Sequence, residues 1–439
     1  MEITKGNSFS KQFIIVTLVA ICLLFLFTEC KASTSNTEIT MWTFLNPTGT
    51  AGREIALNKM ISSFEEKTGI KVIVEPQQWN TMTAKFFAAN TIGNAPDVAW
   101  VERPQLGAAV KMGTLVPLED LFLDFWSKED VEDVDSALWQ EIDGKHYQVT
   151  LSANCNGIIY REDLFKEKGI ATPIKTWNEL IDAAQKLTGK DTETGIERWG
   201  LGMALSMDKA TTMTMNSSLL DLQGCFFTKD GKANWANDNG IKSMQLQVDM
   251  VQKYKITPLD SITATAEDLL KDFSAGKYAM IMAPAVRVPK IKSEVPFDPD
   301  IVKLMPYPSW DEDKIAPIII GGWSVGVWSE SGNKKEAGQF LEYMINKESD
   351  KLWVFNGGQV PVRKSTILEN KEFFEQPEKQ YLSVMKEIID NGYLTPTDFT
   401  TAGFRLDLNW ATQEILVGRL GIEDALKAAE DRFNKRNPK

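Results

Sequence analysis

Between Ile39 and Val101 the apolar residues change period from two to 3.6 and back, and no other feature restricts the fold of this chain as strongly. Ile39-Thr-Met-Trp-Thr-Phe44 alternates as a strand, and Asn46-Pro-Thr-Gly49 breaks it. Leu57, Met60, Ile61 and Phe64 then fall at i, i+3, i+4 and i+7, as on one helix face, with Gly69 as the stop. Lys71-Val-Ile-Val74 is the next strand. A second helical segment over 80–92 leads to Pro96-Asp-Val-Ala-Trp-Val101, a third strand. Strand–helix–strand units imply a parallel sheet covered by helices. Ligands of open α/β sheets lie beyond the carboxyl ends of the strands, which places Trp42, Asn46, Trp100 and Glu102 near any cleft.

A second informative stretch is Gly321-Gly-Trp-Ser-Val-Gly-Val-Trp328, followed by a helical run over 334–346. Three glycines and two tryptophans in eight residues suggest a backbone that passes close to something, with flat apolar faces beside it. A binding wall and a buried strand after a tight turn both satisfy the pattern. In between, Gly144 to Thr150 and Gly157 to Tyr160 read as two strands around a crossing, and Thr176-Trp-Asn-Glu179 is a capping box that opens a helix with Leu180, Ile181, Ala184 and Leu187 inward. Gly276 to Ala283 reads as a helix end running into a buried strand, and the proline-rich 284–317 as an extended connection without helix. The chain from Gly357-Gly-Gln-Val-Pro361 onward is a loop and then mostly helix.

The length of 439 residues implies about two or three domains. A net charge of −12 without a basic stripe argues against nucleic-acid binding. Lys5 and Lys11 precede an apolar run from Phe13 to Phe27 of signal-peptide length, so the protein is expected to be exported. Cys30 stands where a lipoprotein carries its lipidated cysteine, although Glu29 occupies the place of a small residue; cleavage after Ala32 is the alternative. Cys155 and Cys225 remain for the mature chain, as a disulfide or as separate buried thiols. The acidic run from Lys128 to Asp135 lacks the spacing of a calcium loop and reads as a solvated face.

A single histidine, His146, removes two-histidine metal motifs and most nucleophile–base pairs, and its turn-flanked strand suits a satisfied imidazole. No phosphate loop or dinucleotide fingerprint is present, and neither cofactor nor metal is expected. The 13 tryptophans are the positive signal, because flat indoles suit the apolar faces of sugar rings while polar groups fix the hydroxyls. Trp177 and Trp353 lie inside helical patterns and read as core. Trp42, Trp79, Trp100, Trp323 and Trp410 sit at strand ends or turns, where ligand contact and packing both apply.

With these segments in order the chain resembles the extracellular solute-binding proteins of bacterial ABC importers, in the maltose-binding-protein-like carbohydrate family. The resemblance rests on Pro96-Asp-Val98, Gly144-Lys-His-Tyr147, Tyr160-Arg-Glu-Asp-Leu-Phe165, Pro173 to Leu180, Gly276-Lys-Tyr-Ala-Met280, Gly321-Gly322, Glu336-Ala-Gly-Gln-Phe-Leu341 and Gly358-Gln-Val-Pro361. It implies a two-lobed periplasmic-binding-protein-like α/β fold with a cleft between lobes joined by three crossings, near residues 150, 285 and 360. The implied division is a signal or anchor over 1–32, a first lobe from 37–149 and 286–358, and a second from 150–285 and 359–439. Trp42, Asn46, Trp79, Glu102, Gly322 and Trp323 would line one side of the cleft, Asn154 the crossing, and Arg287, Arg405 and Trp410 the other lobe. The implied role is a monomeric, non-enzymatic receptor that takes a carbohydrate to membrane permease subunits and is held to the membrane by its lipid anchor.

Two departures from the family pattern stand out. Ala285, with Arg287 nearby, and Arg405 fall where stacking aromatics are common. The arginines would suit an acidic ligand, such as a uronic-acid oligomer or a sugar phosphate, or else form structural ion pairs. Other readings are a receptor for glycerol phosphate or a polyamine, a secreted carbohydrate-active enzyme, and a sensory subunit serving a membrane kinase.

Overall fold

The computed structural model describes residues 37–191, 195–207, 214–397, 401 and 403–437. Two sheets organise them. The first holds β1 (Glu38–Thr43), β2 (Lys71–Pro76), β3 (Val98–Glu102), β4 (Trp139–Ile142), β5 (Lys145–Asn154) and β11 (Gly321–Val327), in the order β2-β1-β3-β11-β5-β4. The second holds β6 (Asn156–Arg161), β7 (Gly189–Lys190), β8 (Glu197–Gly202), β9 (Tyr278–Pro284) and β10 (Val302–Met305), in the order β10-β6-β9-β8-β7. β1, β2 and β3 are parallel, as the alternating periods require, while β11 runs antiparallel between β3 and β5. The two sheets with their helices are the two lobes.

Local chemistry explains the helices. The helix Gly52–Thr68 buries Ala56, Leu57, Met60, Ile61 and Phe64 on one face and ends at Gly69, whose φ of 74° suits glycine. At Trp177–Leu187 the capping box is complete: the Thr176 hydroxyl accepts from the Glu179 amide at 3.2 Å, and the Glu179 carboxylate accepts from the Thr176 amide at 3.4 Å. Trp177 and Trp353 are fully buried. So is Trp100, whose ring meets Trp353 at 5.9 Å, so its position at a strand end makes it core and not cleft wall. Truncating an aromatic in such a core costs about 3–5 kcal/mol.

The segment 284–317 corrects the expectation of a plain connection. It contains the helix Val288–Glu294 and β10, which pairs antiparallel with β6 from Val302 opposite Arg161 to Met305 opposite Ile158. Residues 286–305 therefore belong to the second lobe, and the second crossing lies between Met305 and Gly321 instead of near 285. Before crossing, the chain is tied to the second lobe by the Ser309 hydroxyl and the Trp310 amide on Asp221. Ile318 and Ile320 then bracket Tyr393 through backbone bonds of 2.7 and 3.0 Å.

The first change of lobe lies beside this one, whereas the third falls after Glu369 instead of near 360, because Asp133 and Asp350 of the first lobe hold residues 362–366 and Lys351 meets Glu369. β5 leads directly into β6 at Cys155, and Asn154 pairs with Gly321. The Ser152 hydroxyl donates to Gln359 Oε1 at 2.8 Å, and Tyr381 donates to the Gly358 carbonyl at 3.4 Å. Further along, Lys386 Nζ of the second lobe lies 3.0 Å from Asp135 Oδ2 of the first. Cys155 is buried and Cys225 partly so, and neither is in a disulfide. The apolar run 13–27 and Cys30 lie outside the described residues; among those described, no helix is long and apolar enough to cross a membrane.

One buried carboxylate fastens the chain just after Gln359. Asp350 accepts from the Val362 amide at 2.8 Å, the Arg363 amide at 3.1 Å and the Thr366 hydroxyl at 2.6 Å. Burial outweighs these bonds and pushes its pKa up to about 6. A carboxyl that holds its proton more tightly folded than unfolded stabilises most below its unfolded pKa, and this contribution is lost as pH rises through the folded value. About two pKa units correspond to about 3 kcal/mol between roughly pH 4 and pH 6. Urea unfolding of the wild type and of Asp350→Asn across this window is expected to show their stability difference shrinking as pH rises. A constant difference would contradict the assignment.

Candidate functional site

The parallel strands β1, β2 and β3 end on one side of the first lobe, and because β11 is antiparallel to them its first residues emerge at the same place. Gly321, Gly322 and Trp323 are half-buried there, whereas Ser324 to Val327 are buried. Trp323 sits between Glu102 of β3 and Ser152 of β5, and a bulge follows it. Bulges re-aim side chains next to functional sites. Gly322 has φ of 130°, and a Cβ there would lie 2.2 Å from the Ser152 carbonyl oxygen, so only glycine allows β11 to approach β5 this closely.

Phe44, immediately after β1, joins the indole of Trp323 at 5.1 Å and the edge of Trp100 at 5.5 Å. The Arg53 guanidinium lies 5.4 Å from the centre of the Phe44 ring. The result is an aromatic surface, partly exposed through Phe44 and Trp323 and backed by the core through Trp100. From the second lobe Arg405 brings its charge near Glu102: burial lowers its pKa below the ordinary arginine value, and Glu102 opposes the shift. Arg287 comes from the turn after β9 and pairs with Glu267, which also lies 3.3 Å from Lys290.

The structure thus brings together Glu102, Gly322 and Trp323 of the residues expected from sequence, with Asn154 at the nearby crossing, while Arg405 lies on the second-lobe helix Phe404–Leu416. The Asn154 Oδ1 is buried and accepts no hydrogen bond among the described residues. Others are placed differently. Asn46 is exposed, and its side-chain oxygen closes a local turn on the Thr48 amide and hydroxyl at 3.0 and 2.8 Å. Trp42 is half-buried, and its indole donates to Glu75 at 2.7 Å. Trp79 is 46% exposed in the loop after β2. Trp410 is covered by the guanidinium of Arg432, on the helix Ile422–Arg436, at 4.4 Å.

Phe44 and Arg53 escaped the sequence reading. The one available signal was a cation in the first turn of a helix, where the macrodipole disfavours it. His146 is committed elsewhere, with Nδ1 2.8 Å from Glu119 and its ring against Trp139. The acidic run is only partly solvated, since Asp133 holds Arg363 and Ser365 and Asp135 is buried. Among the described residues no group of His, Cys, Asp and Glu could hold a metal ion.

Two α/β lobes, with a half-exposed aromatic surface at the strand ends of the first, make the architecture of a receptor that takes a small ligand between lobes. A family model described as bacterial extracellular solute-binding protein matches residues 59–403, and the chain belongs to that family. It is 25% identical over 363 residues to the arabinooligosaccharide-binding protein of Bacillus subtilis, covering 78% of this chain and 79% of that one. It is 22% identical over 365 residues to the sn-glycerol-3-phosphate-binding periplasmic protein UgpB of Escherichia coli, covering 79% and 81%. Among solved structures, an ABC transporter solute-binding protein of Thermotoga lettingae bound with alpha-D-tagatose superposes with a TM-score of 0.74 at 25% identity, covering 91% of this chain and 99% of that one. The sugar-binding protein MalE of Xanthomonas citri gives a TM-score of 0.75 at 18% identity, covering 91% and 97%.

Proposed function

We propose that this protein is the substrate-binding component of an ABC importer, that its ligand is an oligosaccharide, and that it delivers that ligand to membrane permease subunits without altering it. The observation that carries the reading is the Phe44–Trp323 surface, with Glu102 paired to Trp323 in the sheet and Arg53 over Phe44. Aromatic faces stack on sugar rings while charged groups take hydroxyls. A ligand on this surface that also touches the second lobe favours the closed state, which is the only way it can drive closure. The saccharide named in the Bacillus subtilis relative supports this reading, and the UgpB likeness makes a glycerol phosphate the second one. The protein acts as an exported monomer, held at the membrane through a lipid on Cys30; the intact mass of protein isolated from membranes separates this from cleavage after Ala32.

The test is a thermal melt of the chain from Thr34 onward against arabino-oligosaccharides, maltodextrins and sn-glycerol 3-phosphate. A ligand that binds only the folded protein raises the melting temperature, by about 2.7 kcal/mol of added stability at a hundredfold excess over Kd. A rise with at least one oligosaccharide, which is then recovered intact, is the expected result. Release of new reducing ends would make the protein an enzyme, and a response to glycerol phosphate alone would select the second reading.

A further inference from the structure

One residue past Glu102, at the end of β3, the chain buries a charge that no carboxylate among the described residues contacts. Arg103 is 4% exposed, and its guanidinium goes to neutral oxygens instead. Nη1 donates to Thr150 Oγ1 at 2.8 Å. With the Gln140 amide turned so that both of its ends are satisfied, Nε and Nη2 donate to its oxygen at 2.9 and 3.1 Å. Burial pushes the Arg103 pKa down to about 10, with Asp135 opposing the shift, so the group stays protonated at neutral pH. A guanidinium only donates, so the Thr150 hydroxyl accepts from it and keeps its own proton for Ser324 Oγ, 2.9 Å away. Both hydroxyl residues are fully buried. They flank the irregularity in the sheet: Trp323 faces Ser152 of β5 and Ser324 faces Thr150, so Leu151 is the extra residue of the bulge. The Leu151 carbonyl accepts from the indole N–H of Trp353, and the Thr150–Ser324 bond ties β5 to β11 beside it.

Resting on the ligand surface proposed above, we infer that Arg103 is a positioning residue for saccharide binding: through Thr150 and Ser324 it holds the bulge in place and so fixes the angle at which β11 presents Trp323. A bulge leaves one residue unpaired and bends the ladder locally, so the bend needs a lock to stay at one position. Burying a charge among neutral acceptors costs stability, and a well-packed apolar side chain would serve a purely structural end better. What the charge supplies is direction, because all its N–H groups donate and charge-assisted bonds are roughly twice as strong as neutral ones. Glu102 and Trp323 stand opposite each other in the sheet, and Arg103 and Ser324 are the residues that follow them. One network therefore fastens both strands right next to the ligand surface.

The experiment uses Ser324→Ala, which cuts the last bond of the network and leaves those of Arg103 intact. Calorimetric titration with arabinotriose and with maltotriose is done in the wild-type background and in Trp323→Ala. Ser324→Ala is expected to bind the trisaccharide about tenfold more weakly than the wild type, but less than about twofold more weakly once Trp323 is already alanine. Arg103→Met, which removes the charge and the fork together, should show the same pattern with a larger loss. Fluorine NMR of protein carrying fluorotryptophan reads the indole without any ligand. The Trp323 signal, identified by its absence in Trp323→Phe, is expected to move or broaden in Ser324→Ala, while that of Trp177, assigned in the same way, stays. An unmoved Trp323 signal, or an equal loss of affinity in the Trp323→Ala background, would overturn the inference and leave Arg103 a structural residue of the first lobe. Failure of the wild type to bind either trisaccharide would count against the saccharide reading, and the fluorine signal would still decide the role of Arg103.

Discussion

Gly322→Ala is expected to destabilise the protein by about 3 kcal/mol or more and to weaken ligand binding with it. The new methyl would sit 2.2 Å from the Ser152 carbonyl oxygen and 3.0 Å from the Ala153 Cα, both backbone atoms without a side chain's freedom to swing away. A φ of 130° adds strain for any residue with a Cβ. Relief requires β11 to move from β5, which shifts the bulge after Trp323 and disturbs the Asn154–Gly321 pairing where the chain changes lobe. One substitution therefore reaches the fold, the crossing and the cleft. Gly332→Ala, where the added carbon meets nothing within 4 Å and φ is ordinary, is the control, with an expected change within about 0.5 kcal/mol. Urea unfolding of both variants decides the matter, and equal stability would mean that β11 does not depend on this close approach.

Trp323→Ala is expected to lower affinity for the bound saccharide at least about thirtyfold, the loss of a central aromatic contact worth about 2 kcal/mol. The indole is only half-buried, so its effect on stability should be smaller than that of truncating the fully buried Trp100. Trp323→Phe should keep much of the affinity, since a smaller ring still packs at a tilt against Phe44 and offers an aromatic face. Calorimetry on the wild type, Trp323→Ala and Trp323→Phe separates a stacking role from a purely structural one. Alanine variants that bind like the wild type would place the ligand away from the Phe44–Trp323 surface.

Much of the architecture could be read before any coordinates, because local periodicity reports which face of an element is buried. The helix faces at Leu57, Met60, Ile61 and Phe64 and at Leu180, Ile181 and Ala184 are buried as their spacing requires, and the alternating periods between Ile39 and Val74 become parallel strands. The glycine pattern at Gly321-Gly322 likewise marked a close backbone approach. Periodicity does not say what an element is buried against. Val302–Met305 looked like connection because four residues rich in neither glycine nor alternation carry little signal, and only β6, distant in sequence, makes them a strand of the second lobe.

The site follows the same division. The alternation of elements determined that Glu102, at the end of β3, would lie on the carboxyl side of a parallel sheet, whereas Gly322 and Trp323 were expected beside it only from the family resemblance, because the antiparallel direction of β11 leaves no local signal. Tertiary structure alone decided that Phe44 and Arg53 complete the surface, that Trp100 is core and that Trp410 is taken up by Arg432. Hydrophobic spacing is a short-range property of the chain, whereas stacking and charge act through space. Which rings and charges become neighbours across a cleft is settled only when two separately folded lobes are set face to face.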